Sequence, residues 1–322
     1  SGRISALADF GIGVLDGAMV RACAYVIPVG KQAVNGDFID ARKAEDKGAA
    51  LLASVQAAMT DEAAGASIYC CDSAFFSLIP QHRILYWLPR NFWQQVRSLP
   101  AIEPQAATIR AGLTTYDDVR FLRLRWEVAA AETGIGNTWV FLSKGGYFST
   151  FYNDVHLVVL WANGGNEVGA YNRSLYATDA QSRRGSSFYL RPAVTYSRRT
   201  DYFSARALPD NCFFSDKGPC IIPLNQTTPT YLLGVFNSDL FRGLVHAQSQ
   251  GGCFETGVLK FLPWSEPDKT VQEDVEFAAK AAWKAKARVF SMFETDTRFI
   301  SPMLANGSSI ADCHATSVQI IN

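Results

Sequence analysis

The groups in this sequence best suited to chemistry are its cations, and the chemistry they suit is holding anions. Between residues 181 and 206 the chain carries Arg183, Arg184, Arg191, Arg198, Arg199 and Arg206 against one acid, Asp201. Further upstream, residues 120–125 read R-F-L-R-L-R. A guanidinium presents a planar fork of donors that matches phosphate oxygens or the O6/N7 edge of guanine. Lys217 in Ser-Asp-Lys-Gly and Lys144 in Lys-Gly-Gly add ammonium groups. The glycines after Lys144 allow a backbone to approach a phosphate closely. Tyr147, Phe148, Tyr189 and Tyr196 interleave with these cations. A duplex-reading domain needs this mixture, with cations for phosphates and forks for base edges. The candidate DNA-contacting set is Lys144, Arg183, Arg184, Arg191, Arg198, Arg199 and Lys217. The plainer alternative is that paired arginines sit on solvated loops or bridge acids of their own fold.

Other chemistries lack their residues. There is no Walker A loop, no H-E-x-x-H among His82, His156, His246 and His314, and no G-x-S-x-G elbow. Cys313-His314 stands without companion ligands. Seven cysteines include no C-x-x-C pair, so they read as reduced thiols of a cytoplasmic protein. Gly11-Ile12-Gly13 and Gly134-Ile135-Gly136 read as turns, since neither follows a clear strand with an acid placed for a ribose. Glu45-Asp46-Lys47, half of a nuclease signature, reads as a solvated charged face of a helix. Asp117-Asp118 reads as a turn or as a partner for Arg120. The formal net charge of zero does not exclude nucleic acid, because the placement of charge matters more than its sum.

The elements that must position these groups are mostly short. At 322 residues, two domains are the natural expectation. Residues 13–27 suggest an edge strand closed by Pro28 and Gly30. Residues 38–59 are alanine-rich, with Ala49, Leu52, Val55 and Met59 at helical spacing. From 106 to 263 most segments alternate aromatic or β-branched residues with polar ones, and residues 138–142, 155–161, 188–196, 212–215 and 220–223 read as strands. Asn163-Gly-Gly-Asn166 reads as a turn. Residues 230–246 suit a helix with Leu233, Phe236, Leu240 and Leu244 on one face. The clearest helix follows Thr270-Val-Gln-Glu273, a capping-box pattern, with Val271, Val275, Ala278, Ala282, Ala285, Val289 and Phe293 at spacings of three and four.

Several stretches together resemble one family. Residues 112–128, G-L-T-T-Y-D-D-V-R-F-L-R-L-R-W-E-V, are similar to one of its blocks, and 139–149, W-V-F-L-S-K-G-G-Y-F-S, to its lysine-glycine-glycine segment. Next in order come F-Y-L-R-P-A-V-T-Y-S-R-R-T at 188–200, F-S-A-R-A-L-P at 203–209 and F-S-D-K-G-P at 214–219. L-G-V-F-N-S at 233–238 looks like the start of a helix common in specificity domains. G-V-L-K-F-L-P-W at 257–264 looks like a closing strand. These blocks resemble the adenine-specific DNA methyltransferases of the PglX kind, from BREX phage-defence systems, and related type IIG restriction-methyltransferases.

The resemblance implies a mixed α/β fold in three parts. Residues 1–62 would be the C-terminal edge of a methyltransferase domain with a linker helix, 63–265 a β-rich target-recognition domain, and 266–322 a C-terminal helical segment. It implies double-stranded DNA as partner, an adenine flipped from the stack, and a cytoplasmic location. S-adenosylmethionine would serve the intact enzyme, whose N-P-P-[YFW] motif this sequence lacks. The chain alone is expected to be catalytically inert. A separate specificity subunit and a scaffold of a defence complex are the other readings.

Overall fold

The computed structural model describes residues 4–18, 20–30, 35–60, 67–79, 82–89, 91–92, 94, 98–249 and 252–299. The chain is mixed α/β and forms two compact units, Ser1–Leu99 and Pro100–Asn322. Each is described separately. The expected boundary after residue 62 is not a boundary of compactness, because the strand that follows it pairs with the strand before it.

In the first unit, β1 (Ala6–Gly11), β2 (Ala22–Val26), β3 (Asn35–Asp40) and β4 (Ser67–Asp72) form a sheet in the order β2-β1-β3-β4. β1 runs parallel to β3 and antiparallel to β2, and β3 runs antiparallel to β4. The edge strand expected within 13–27 is β2. The helix expected from residue 38 instead begins at Lys47 (α1, Lys47–Thr60). Phe38, fully buried, belongs to β3 and stacks on Tyr86 at 5.6 Å between ring centres. Asp46 ends the loop by accepting from Ala49 N at 2.9 Å, so the acids of the E-x-K stretch precede the helix. Lys47 reaches back to the Arg42 carbonyl at 3.2 Å, a structural task. The expected apolar face of α1 is largely bare, with Leu52 and Met59 exposed.

The second unit holds two four-stranded sheets. One contains β5 (Ala107–Arg110), β9 (Ala193–Tyr196), β10 (Ala205–Leu208) and β12 (Cys220–Pro223), in the order β10-β9-β12-β5. The other contains β6 (Leu122–Leu124), β7 (Trp139–Ser143), β8 (Leu157–Leu160) and β11 (Cys212–Phe214), in the order β11-β7-β8-β6. Their facing side chains, including Leu142, Val159, Phe213, Phe214 and Ile222, make one core. Four of the five expected strands recur nearly as read. Of residues 188–196 only the last four are strand, and the segment before them is a 3-10 turn and bend.

Five long helices are described. After α1, α2 (Ala162–Tyr176) begins where Asn163, Gly164 and Gly165 take positive φ of 53°, 69° and 76°; the expected turn is real, but a helix follows it. The single helix expected over 230–246 is two. α3 (Pro229–Asn237) ends at Ser238, which caps α4 (Asp239–Gln248) by accepting from Phe241 N at 3.3 Å. The stretch expected as a closing strand, 257–264, instead carries a helical turn, Thr256–Leu259, and pairs only at Pro263 with Ala101.

The last helix, α5 (Lys269–Phe290), has Asp268 as N-cap with no side-chain capping bond, so the capping box at Thr270 does not form. Its buried face is rotated from the expected one, because two aromatics dominate the packing. Trp283 and Phe290 lie 6.1 and 5.4 Å from the Tyr152 ring. The helix lies close on α3, where a Cβ at Gly234 would come within 2.5 Å of Val275 Cγ1. The expected C-terminal segment therefore packs, through residue 290, within the same unit as the strands before it. Cys313-His314 lies outside the described residues.

Candidate nucleic-acid interface

Two glycines build the centre of the second unit's polar surface. Gly145, at φ +86°, follows β7, and a Cβ there would stand 2.5 Å from the Lys217 carbonyl. A Cβ at Gly218 would stand 2.6 Å from Gly145 N. The loops after β7 and β11 therefore cross in direct backbone contact. Lys144 and Lys217, far apart in sequence, become neighbours. The close approach expected between these glycines and a phosphate is, in the structure, an approach between two loops of the protein itself.

A cleft of about 460 Å³ opens beside this crossing. Lys144, Arg184 and Lys217 line it together with Thr114, Thr115, Gln181 and Ser215. At its edge Tyr116, with φ 62°, packs on Tyr176 at 4.6 Å between ring centres and remains exposed. The segment carrying the threonines is pinned by Asn172, whose Nδ2 donates to the Thr114 carbonyl at 3.1 Å. Gly112 permits this path, since a Cβ there would overlap the Phe214 carbonyl.

Two acids temper the cations. Asp118 ion-pairs with Lys144 and accepts from Thr115 Oγ1 at 2.6 Å. Partial burial pushes the Asp118 carboxyl up, but the bonds from Lys144 and Thr115, with the charge of Lys217, hold it below the usual carboxylate range. Asp117 is the structural member of the pair, accepting from Arg120 N at 3.0 Å to cap a single helical turn. Lys217 Nζ lies 3.2 Å from Asp216 Oδ2.

The candidate cations do not form one patch. Only Lys144, Arg184 and Lys217 line the cleft. Arg183 turns to Asp179 at 3.3 Å and to the Gly164 carbonyl at 3.2 Å. Arg191 lies over the Phe188 ring at 5.6 Å and is exposed. Arg198 grips Glu255, its Nη2 2.8 Å from Oε1 and its Nε 3.1 Å from both oxygens, with Asp216 at 3.8 Å. Glu255 raises the Arg198 pKa further, so this charge is committed within the fold. Arg199 is exposed and has no ion pair among the described residues. Of the aromatic candidates, Tyr189 and Tyr196 are buried, while Tyr147 and Phe148 are exposed.

Arg206 stands outside the candidate set that residue type suggests. It is 2% exposed and no carboxylate lies within ion-pair reach among the described residues. Its Nη1 donates to the Tyr147 carbonyl at 3.2 Å and its Nη2 to Ser197 Oγ. Burial pulls its pKa down to about 10. A second cavity of about 180 Å³ touches Arg206, Lys144, Gly145, Gly146 and His156. The one available signal was an arginine within the otherwise apolar strand Ala-Arg-Ala-Leu.

Cβ atoms at Gly13 and Gly136, in the two G-x-G pairs, would meet no protein atom within 4 Å. No group of three or more His, Cys, Asp or Glu residues able to hold a metal occurs among the described residues. None of the described helices is long and apolar enough to cross a membrane.

No known family profile matches the chain. In sequence it is 23% identical over 265 residues to the adenine-specific methyltransferase PglX of Lacticaseibacillus casei (strain Zhang), an alignment covering 77% of this chain and 22% of that protein. In structure it is similar to the type IIL restriction-modification enzyme MmeI, solved in complex with DNA, with a TM-score of 0.53 and 12% identity over 99% of this chain and 42% of that one. The chain thus spans about a fifth of the curated relative and under half of the solved structure. It is similar in sequence to part of PglX and shares the fold of part of a restriction-modification enzyme.

Proposed function

We propose that the chain recognises double-stranded DNA on behalf of an adenine-specific, S-adenosylmethionine-dependent methyltransferase of a phage-defence or restriction-modification system, acting in the cytoplasm. In this reading the unit beginning at Pro100 is the recognition portion, and methyl transfer belongs to residues outside this sequence. The observation that carries the reading is the convergence of Lys144, Arg184 and Lys217 on one cleft lined by threonine, glutamine and serine, with Asp118 and Asp216 the acids in its wall. Cations there can neutralise phosphates, while the fork of Arg184 and the amide of Gln181 are the groups that read base edges. The resemblance to PglX and the fold shared with a DNA-bound restriction-modification enzyme support the choice of ligand.

One observation favours the scaffold reading instead. Arg183, Arg198, Lys144 and Lys217 all pair with acids of this same chain. A salt titration of binding to labelled random-sequence duplex, followed by fluorescence anisotropy, separates the two. DNA recognition gives a log affinity that falls steeply and linearly with log salt. A folded sample that binds no duplex at about 50 mM salt, where phosphate contacts are strong, removes the DNA reading.

A further inference from the structure

We propose that Tyr147 is a fixed aromatic probe that stacks against a base step it opens in bound DNA, with Arg206 as its positioning residue. The inference rests on the DNA-recognition reading above.

Tyr147 is 93% exposed. Its ring makes no aromatic, cation or hydrogen-bond contact among the described residues. A tyrosine carries a large apolar face, and full exposure leaves all of it in water. The backbone beneath it is nonetheless held firmly. Gly145 and Gly146, at φ +86° and +122°, turn the chain outward. Arg206 donates to the Tyr147 carbonyl at 3.2 Å. It also donates to Ser197 Oγ, which in turn donates to the Gly146 carbonyl at 2.7 Å. Just downstream, Ser149 N donates to Ser204 Oγ at 3.2 Å, and Phe151 bonds both Ala205 and Ala207 of β10.

Burying a guanidinium without a carboxylate is costly. Here it secures a short loop whose outward side chain is 93% exposed. Ordering that loop in advance removes an entropic cost that would otherwise fall on binding. The neighbouring chemistry indicates what the ring meets. Lys144, three residues earlier, lines the cleft with Arg184 and Lys217, and Phe148 lies under the Arg242 guanidinium at 5.7 Å. Cations on the residues beside a bare ring suit a base step opened in the duplex, with its phosphates, because a side chain that parts two bases meets a π-face and such stacking tolerates any sequence.

The test is anisotropy binding of the full chain to labelled random-sequence duplex, comparing parent, Tyr147→Ala, Tyr147→Phe and Arg206→Lys. Stacking predicts that Tyr147→Ala loses affinity about tenfold or more. Its salt slope should be unchanged, because tyrosine neutralises no phosphate. Tyr147→Phe should keep the parent affinity within about twofold, since the ring face remains. If Tyr147→Ala also stays within twofold while the parent binds, the probe is overturned and DNA recognition stands. If the folded parent binds no duplex, both fall together.

The role of Arg206 is read from a double-mutant cycle. Arg206→Lys should weaken the parent but add little to Tyr147→Ala, because the ring it positions is already gone. Full additivity would remove Arg206 from that role. Should Arg206→Lys fail to fold, Ser197→Ala, which cuts the same link to Gly146, completes the cycle.

Discussion

Alanine replacement of Lys144, Arg184 and Lys217, one at a time, tests whether the cleft is a phosphate track. Each neutralised phosphate on duplex DNA contributes about −0.9 to the slope of log K against log salt. Three contacts give about −2.7, which is roughly 40-fold weaker binding when salt rises fourfold. Each single alanine should make the slope shallower by about 0.9, a factor of about 3.5 over that salt range. The structure ranks the three. Arg184 is exposed and has no ion pair among the described residues, so its full share should disappear. Lys144 and Lys217 are shared with Asp118 and Asp216, so their losses should be smaller. Asp118→Asn then provides a gain. Asp118 stays ionised at neutral pH, because its lysine and threonine bonds outweigh its burial. Asparagine can still accept from Thr115 while releasing Lys144, so affinity at low salt should rise and the slope should steepen. Anisotropy titrations at five or so salt concentrations, on samples with matched melting curves, suffice. Unchanged slopes across all four variants would refute the phosphate track.

The remaining predictions concern stability and loop geometry. Arg198→Ala should leave the DNA salt slope unchanged yet lower stability by about 0.5–1 kcal/mol, since its pair with Glu255 is partly exposed and solvent-screened. Burial pushes Glu255 up, but the bonds from Arg198 and Cys253 hold it net below its ordinary value. The pair's contribution is therefore present at neutral pH and lost as pH falls through the carboxylate range, where melting curves of parent and variant should converge. Asp296 behaves oppositely, because burial and the charge of Asp154 push its pKa up. Its ionised form costs stability at neutral pH, and the cost fades as pH drops through its raised value. Asp296→Asn, which can still accept from Tyr152, should raise the calorimetric melting temperature at pH 7 and change it little at pH 4. Gly145→Ala should cost about 2 kcal/mol in denaturant melts, from its positive φ and its clash with the Lys217 carbonyl. Gly136→Ala, at a similar φ but with open space around the added methyl, should cost about half of that.

The strands of the second unit were legible because their evidence is local. Apolar or β-branched runs such as Leu157–Leu160 and Cys220–Pro223 sit between turn residues, and nothing distant must be known to place them. Helix α2 was hidden by its own composition, since two glycines open it and Val168, Gly169 and Asn172 make its buried face, too polar to stand out as a stripe. The buried face of α5 was misread for a tertiary reason. Alanines and valines mark several equivalent stripes, and Tyr152, over a hundred residues earlier, selects the one containing Trp283 and Phe290.

The candidate site divides along the same line. Residue type identified the cations, but type cannot say which acid each one meets. Arg198 and Arg199 are adjacent, yet one faces Glu255, 57 residues away, and the other faces solvent. Lys144 and Lys217 meet only because Gly145 and Gly218 let their loops cross at a spacing no side chain would tolerate. The glycines beside a cation thus carried the decisive information, though about the protein's own backbone rather than a ligand's. A Lys-Gly-Gly or Lys-Gly segment in such a chain is first evidence of a loop crossing, and what the crossing brings together then depends on the second loop. Here that loop carries Lys217 and Asp216. Its lysine adds to the cleft while its acid subtracts from it. Across the cleft Lys144 stands in the same balance with Asp118, so whether the sum holds a phosphate is a question of charge released on binding, which the Asp118→Asn variant probes without removing a single cation.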